Sequence, residues 1–308
     1  MTTTPALSVT GLTKRYGDRT AVDHLDLEVP RGVVAGFVGP NGAGKTTTMA
    51  MLLGLVRPSA GVGAVLGHPI TDPAAYLPRV GALIESPAFY PALSGAENLR
   101  VLATVGGHDH DRIPALLELV GLEGRGDDRY RGYSLGMKQR LGIAAALLGQ
   151  PDLLILDEPA NGLDPQGVRE MRELVGTLSG SGRTVLVSSH DLSELEQVCD
   201  WLVLIERGRS LYQGPTSDLL DGVTRGIAVV PAEPGDDRPL AQLLARGGHR
   251  VEAEDGRLVV DVDGADVRGV AASINRAAFD AGIVLVELSP LRTTLEDRYL
   301  SMVQGGAR

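Results

Sequence analysis

In the run Gly39-Pro40-Asn41-Gly42-Ala43-Gly44-Lys45-Thr46-Thr47 the first eight residues fit the pattern G-x-x-x-x-G-K-[ST], which confines this stretch to one arrangement: strand, loop, helix. Glycines let the main chain curl so that successive N–H groups face an anion, and the helix beginning near Lys45 aims its positive end at the same charge. Lys45 reaches outer phosphates, and Thr46 offers a hydroxyl to Mg²⁺. The plainer alternative is a Gly-rich turn with a spare lysine. The flanks argue against it, because Gly32 to Val38 reads as a buried strand and Thr46 to Leu55 as an apolar helix. Gly39, Pro40, Asn41, Gly42, Ala43, Gly44, Lys45, Thr46 and Thr47 are therefore expected to hold a nucleotide's phosphates.

The chain has 308 residues, 43 % of them hydrophobic, enough for one large domain and a smaller one. Its single cysteine, Cys199, excludes an internal disulfide and a cysteine-based zinc cluster. A net charge of −10 argues against a nucleic-acid groove, which needs concentrated Lys and Arg. Charge-free stretches such as Gly32 to Gly44 and Pro58 to Thr71 are too short and too broken by Gly and Pro to span a bilayer. Met1 to Pro5 lacks the basic and apolar regions of a signal peptide. The expected location is the cytoplasm.

Leu7 to Thr10 and Ala21 to Val29 alternate apolar with polar residues around a Tyr16-Gly17-Asp18 turn, predicting an antiparallel β layer ahead of the loop. Residues 90–150 turn helical, as an insertion. Strands return at Leu153 to Leu156 and Val185 to Val187, separated by the helix Gln166 to Leu178, which is an α/β alternation. A boundary is expected near residue 222, giving domains 1–222 and 223–308. The second reads β-α-ββ-α-β and is expected to be a small α+β, ferredoxin-like domain used for packing, dimer support or spacing.

Leu153-Leu154-Ile155-Leu156-Asp157-Glu158-Pro159 is an apolar strand ending in two carboxylates, where an α/β sheet places its ligand. Asp157 would hold Mg²⁺, and Glu158 would orient or deprotonate a water beside the terminal phosphate. Alone, the same residues also suit a polar strand exit. With Tyr133-Ser134-Leu135-Gly136-Met137-Lys138-Gln139-Arg140 upstream, and Asn161-Gly162-Leu163-Asp164 and His190 downstream, the order resembles the ATP-binding cassette family up to about residue 220. That resemblance implies a P-loop cassette fold with a mixed sheet, an antiparallel β layer and a helical insertion. It also implies ATP hydrolysis, Mg²⁺, and Ser134 and Gly136 capping the ATP of a second subunit. Physically, Ser134 suits a helix N-cap, and Gly136 leaves backbone N–H groups open. Tyr16, together with Val22, matches the nucleotide-contacting set, the tyrosine as an adenine platform, although a packed hairpin tyrosine fits its sequence as well. Asp164 matches a residue through which the two sites communicate, or simply caps a helix. His190 matches the histidine that contacts the γ-phosphate, while Asp191 and Glu194 predict a capping box. The catalytic set is then Glu158, His190 and Lys45, and the metal set is Thr46, Asp157 and Glu85.

Glu85 stands where the family usually carries glutamine, and it adds charge near the phosphates. The signature departs from Leu-Ser-Gly-Gly-Gln at Tyr133, Leu135 and Met137. Ile84 to Pro91 with Leu93 to Leu99, and the terminal Leu295 to Leu300, resemble a subgroup driving bacterial drug, antibiotic-peptide and polysaccharide exporters. The resemblance implies a head-to-tail homodimer or a pair with a paralogue, a separate integral membrane permease, and a peripheral place on the inner membrane face. A soluble cassette ATPase of translation or DNA maintenance, or a weakly hydrolysing nucleotide sensor, are the alternatives.

Overall fold

All five residues of the strand Val34–Val38 are buried, as an apolar run covered on both faces requires. The computed structural model describes residues 4–180, 182–220, 224–254, 256–262, 266–292 and 294–305. In it, Val34–Val38 lies within a six-stranded sheet, in spatial order Arg209–Pro215, Trp201–Glu206, Val34–Val38, Thr184–Ser189, Leu153–Leu156, Val80–Leu83. The last five are parallel and Arg209–Pro215 is antiparallel. A second, antiparallel sheet orders Arg19–Val29, Leu7–Tyr16, Ala60–Val65 and His68–Pro69. Phe37, Met49, Leu52, Leu25 and Leu27 share one core with Ile155 and Leu186, so the β layer packs on the sheet that carries the phosphate loop.

Helices Gly95–Gly106, Ile113–Leu119 and Leu135–Ala146 fill the expected insertion. The first opens on a complete capping box between Ser94 and Glu97. The box expected at Asp191 and Glu194 is corrected: Asp191 caps the backbone N–H groups of Ser193 and Glu194, and the reciprocal bond from the glutamate is absent. The Asp191 N–H that a capping box would offer the glutamate donates instead to Ser189 Oγ, at 2.9 Å.

The chain forms two compact units, Met1–Ser217 with Tyr299–Arg308, and Asp218–Arg298. The boundary expected at 222 and 223 falls outside the described residues. The second unit runs β-α-ββ-α-β through Thr224–Pro231, Asp237–Arg246, Val251–Glu254, Arg257–Asp261, Val267–Asp280 and Leu285–Arg292. Its sheet orders strand two, three, one, four, all antiparallel, the ferredoxin-like topology expected from sequence. Both of its helices pack Leu240, Leu244, Ile274 and Ala278 on one sheet face. Among the described residues, no helix is long and apolar enough to cross a membrane.

Candidate functional site

The phosphate loop joins Val34–Val38 to the helix Lys45–Leu52, with left-handed backbone at Gly42 (φ 82°) and Gly44 (φ 106°). Only glycine takes such angles without strain. Pro40 to Thr47 line an open cleft together with Arg19, Ala21, Glu158 and Asn161. Lys45 is 6 % exposed and its ammonium is shared among three acceptors: Gly39 O at 2.6 Å, Pro40 O at 3.5 Å and Glu158 Oε1 at 3.0 Å. A buried lysine needs such partners to remain charged.

Asp157 and Glu158 follow the strand Leu153–Leu156 directly. Thr46 Oγ1 donates to Asp157 Oδ2 at 2.7 Å, and the fully buried Ser188 donates to Asp157 Oδ1 at 2.6 Å. Ser188 Oγ also accepts from Glu158 N–H at 2.9 Å, joining the two acids through one hydroxyl. Glu158 Oε2 lies 2.8 Å from His190 Nδ1. Both carboxylate oxygens of Glu158 are thus engaged, one by Lys45 and one by His190. Its backbone sits at φ 48°, a left-handed conformation that costs a non-glycine residue about 1–2 kcal/mol. The chemistry available is that of a carboxylate held beside an ammonium and an imidazole, with two oxygen donors facing one acid.

The structure therefore gathers Lys45, Thr46, Asp157, Glu158 and His190, which were read from separate parts of the chain. Other expected residues stand apart. Ser134 caps the helix Leu135–Ala146 by accepting from Met137 N–H at 3.3 Å, and Gly136 occupies its first turn. Both line a different cleft with Asp164, which caps the helix Pro165–Ser179 through Gly167 N–H at 2.7 Å. This second cleft shares no residue with the phosphate-loop cleft. Tyr16 ends the strand Leu7–Tyr16, half exposed, with Lys14 Nζ 4.9 Å from its ring centre. Val22 is fully buried beneath Gly44, so it supports the loop's main chain rather than facing the cleft. Glu85 is exposed, beyond the strand Val80–Leu83, at φ 58°. Among the described residues its side chain has no hydrogen bond or ion pair, and it does not line the phosphate-loop cleft.

Ser188 and Arg19 went unnoticed in the sequence, and Asn161, read only as part of the segment ending at Asp164, lines the phosphate-loop cleft. Ser188 carried a signal, since it stands two residues before His190 at the end of a neighbouring parallel strand.

The family model described as "ABC transporter" matches residues 22–161, and one described as "Domain of unknown function (DUF8746)" matches residues 227–296. The chain is 38 % identical over 306 residues to the bacitracin transport ATP-binding protein BcrA of Bacillus licheniformis, covering 97 % of this chain and 98 % of that protein. It is 42 % identical over 256 residues to the Nod factor export ATP-binding protein I of Ralstonia nicotianae, covering 81 % and 79 %. A solved ATP-binding subunit of an ABC transporter superposes with a TM-score of 0.62 at 32 % identity, covering 70 % of this chain and 91 % of that one.

Proposed function

The chain belongs to the ABC transporter family as an ATP-binding, ATP-hydrolysing subunit, and we propose that it powers export of an antibiotic peptide or similar amphiphile through a separate membrane permease. The relatives named for bacitracin transport and Nod factor export support the exporter reading and disfavour a soluble translation or DNA-maintenance ATPase. The working unit is a head-to-tail pair, of two copies or of one copy and a paralogue, on the inner face of the membrane.

One observation carries this: the chain holds two half-sites that do not meet. Lys45 and Glu158 line the phosphate-loop cleft, with His190 held against Glu158 from beside it, and Ser134, Gly136 and Asp164 line the other, with no lining residue common to the two clefts. A Cβ on Gly136 would meet only Leu163 Cδ2, at an ordinary 3.6 Å. The space this glycine leaves is not required inside the chain, so it is available to a ligand held from outside.

Thr46 Oγ1 and Asp157 Oδ2 are the hard oxygen donors that would hold Mg²⁺, a cation that takes one or two protein oxygens and completes its shell with phosphate and water. Asp157 keeps its second oxygen on Ser188 and so presents a fixed orientation. Bound Mg²⁺ neutralises charge on the phosphates. Entry of the triphosphate draws Lys45 away from Glu158 Oε1, because the polyanion competes for the same ammonium. The released oxygen then serves as general base toward water, while His190 keeps the other oxygen in place. Loop N–H groups and Lys45 stabilise the transferring phosphoryl group. Closure on ATP and reopening after hydrolysis drive the permease.

Glu158→Gln tests the assignment. ATP binding is retained, turnover falls roughly 10²- to 10⁴-fold, and an ATP-dependent dimer accumulates on size exclusion. Parental turnover removes Glu158 from its role, and a monomer at saturating ATP removes the paired-site reading.

A further inference from the structure

The phosphate loop is braced from behind by residues outside it. At its start, a Cβ on Gly39 would stand 2.3 Å from Ile205 O. In its middle, Ala43 O accepts from Gly208 N–H at 2.8 Å. At its end, a Cβ on Gly44 would lie 2.6 Å from Ala21 O. The strand Trp201–Glu206, the Arg207-Gly208 turn after it and the strand Arg19–Val29 therefore fix the loop's depth along its length.

The Gly208 turn is itself pinned. Gly208 O accepts from Asp23 N–H at 3.0 Å. Gly208 has φ 79°, and any Cβ there would sit 2.8 Å from Asp23 N and from Val22 Cα. Arg209 completes the hold, donating from Nε at 2.9 Å and Nη2 at 2.6 Å to Asp23 Oδ2, while His24 Nδ1 lies 2.6 Å from Asp23 Oδ1. The Arg209 guanidinium first, and His24 second, hold the Asp23 carboxyl below its ordinary value.

An ion pair this exposed contributes little to global stability. Its placement matters more, because Asp23 grips the turn by main chain and side chain together, and the turn's next contact is the loop that receives phosphate. Donor arrays work only when held within about 0.5 Å of their target geometry.

We propose that Asp23 and Arg209 are positioning residues for ATP: their ion pair keeps the Gly208 turn seated on Ala43 and so sets the main-chain N–H array of the phosphate loop. This rests on the loop being the ATP site, as proposed above.

The test uses the full-length chain with Arg209→Ala, Asp23→Asn, the double variant, and the conservative Arg209→Lys. Arg79→Ala removes the comparably exposed Arg79–Asp152 pair and serves as the control. Kd for a fluorescent ATP analogue, KM for ATP, kcat and Tm are measured for each. Arg209→Ala and Asp23→Asn raise Kd and KM about two- to fivefold, the scale of one exposed ion pair, with kcat within about twofold of the parent. The double variant is no worse than either single change, Arg209→Lys recovers part of the loss, and Arg79→Ala leaves Kd and KM alone. Parental Kd and KM in both single variants, or losses that add in the double variant, overturn the proposal. Lys45→Ala separates this from the underlying reading: if it still binds ATP, the loop is not the site, whereas lost binding with an unaffected Arg209→Ala rejects the positioning role alone.

Discussion

Removing the Ser188 hydroxyl uncouples the two acids at the centre of the site. Ser188→Ala deletes a bond to the Asp157 carboxylate at 2.6 Å and one from Glu158 N–H at 2.9 Å. Ser188 is fully buried and Asp157 is 5 % exposed, so water cannot readily replace either partner. A hydrogen bond to a charged group is worth about 1.5–3 kcal/mol and a neutral one about 1 kcal/mol. The expected loss is therefore about 2.5–4 kcal/mol, and a unit of this size loses about 2–4 °C per kcal/mol. Calorimetry of the full-length chain should show the ATPase unit melting about 5–15 °C lower. Ser188→Thr, which keeps the hydroxyl, should recover most of that drop, and ATP turnover should follow the same order. A fall of less than about 2 °C for Ser188→Ala, or equal melting of the Ala and Thr variants, would refute the reasoning.

Two further outcomes follow from individual residues. Gly136→Ala meets only Leu163 at 3.6 Å and places a better helix former in the helix Leu135–Ala146. The isolated chain should keep its stability or gain up to about 1 kcal/mol in urea denaturation, while turnover falls at least tenfold on the order expected for a lost backbone-donor approach. Asp191 is held below its ordinary value first by the Ser193 hydroxyl and then by backbone N–H groups. The native carboxyl thus binds a proton less readily than the unfolded one, so its stabilisation is full above the ordinary aspartate range and is lost as pH falls through the lowered native value. Denaturation midpoints measured from pH 6 to about pH 2 should show that part of the acid slope missing in Asp191→Asn.

The residues legible in sequence are those whose chemistry is local. Lys45 and Thr46 announce themselves because loop, helix start and cation fall within nine positions, and the strand Leu153–Leu156 because an apolar run ends abruptly in acid. The C-terminal topology was readable because its six elements follow a β-α-ββ-α-β order with short connections, in which, of strands consecutive in sequence, only the two joined without a helix pair directly and each helix carries the chain across the sheet. Ser188 was not legible: its role exists only once Leu156 lies beside Val187 in parallel register, thirty-one positions after Asp157. Gly208 was hidden for the same reason, since nothing around it in sequence indicates that its backbone threads between Val22 and Ala43. Glu85 shows the converse. Its position in the motif order suggested a metal ligand, yet the side chain stands exposed outside the phosphate-loop cleft, and assigning it there remains a proposal that Glu85→Gln kinetics would weigh.

Consecutive side chains on a strand point to opposite faces, so Asp157 and Glu158 cannot both serve one cleft while the chain stays extended. The strand ends at Leu156, and the left-handed turn at Glu158, φ 48°, brings the second carboxylate round to Lys45 and His190. The strain is thus the structural cost of using adjacent residues for a metal ligand and a base, and Lys45, His190 and Ser188 together hold it in place. Comparing two inactive variants isolates it. Both Glu158→Ala and Glu158→Gly remove the carboxylate, but only glycine relieves the left-handed backbone, worth about 1–2 kcal/mol. Against this, glycine adds unfolded-state entropy costing about 0.4–1 kcal/mol. The net expectation is that Glu158→Gly is more stable than Glu158→Ala by about 0.5–1 kcal/mol in urea denaturation, the reverse of the usual ranking. An alanine variant as stable as the glycine one would mean that the turn relaxes once its partners let go, and that the acids, not the backbone, impose the conformation.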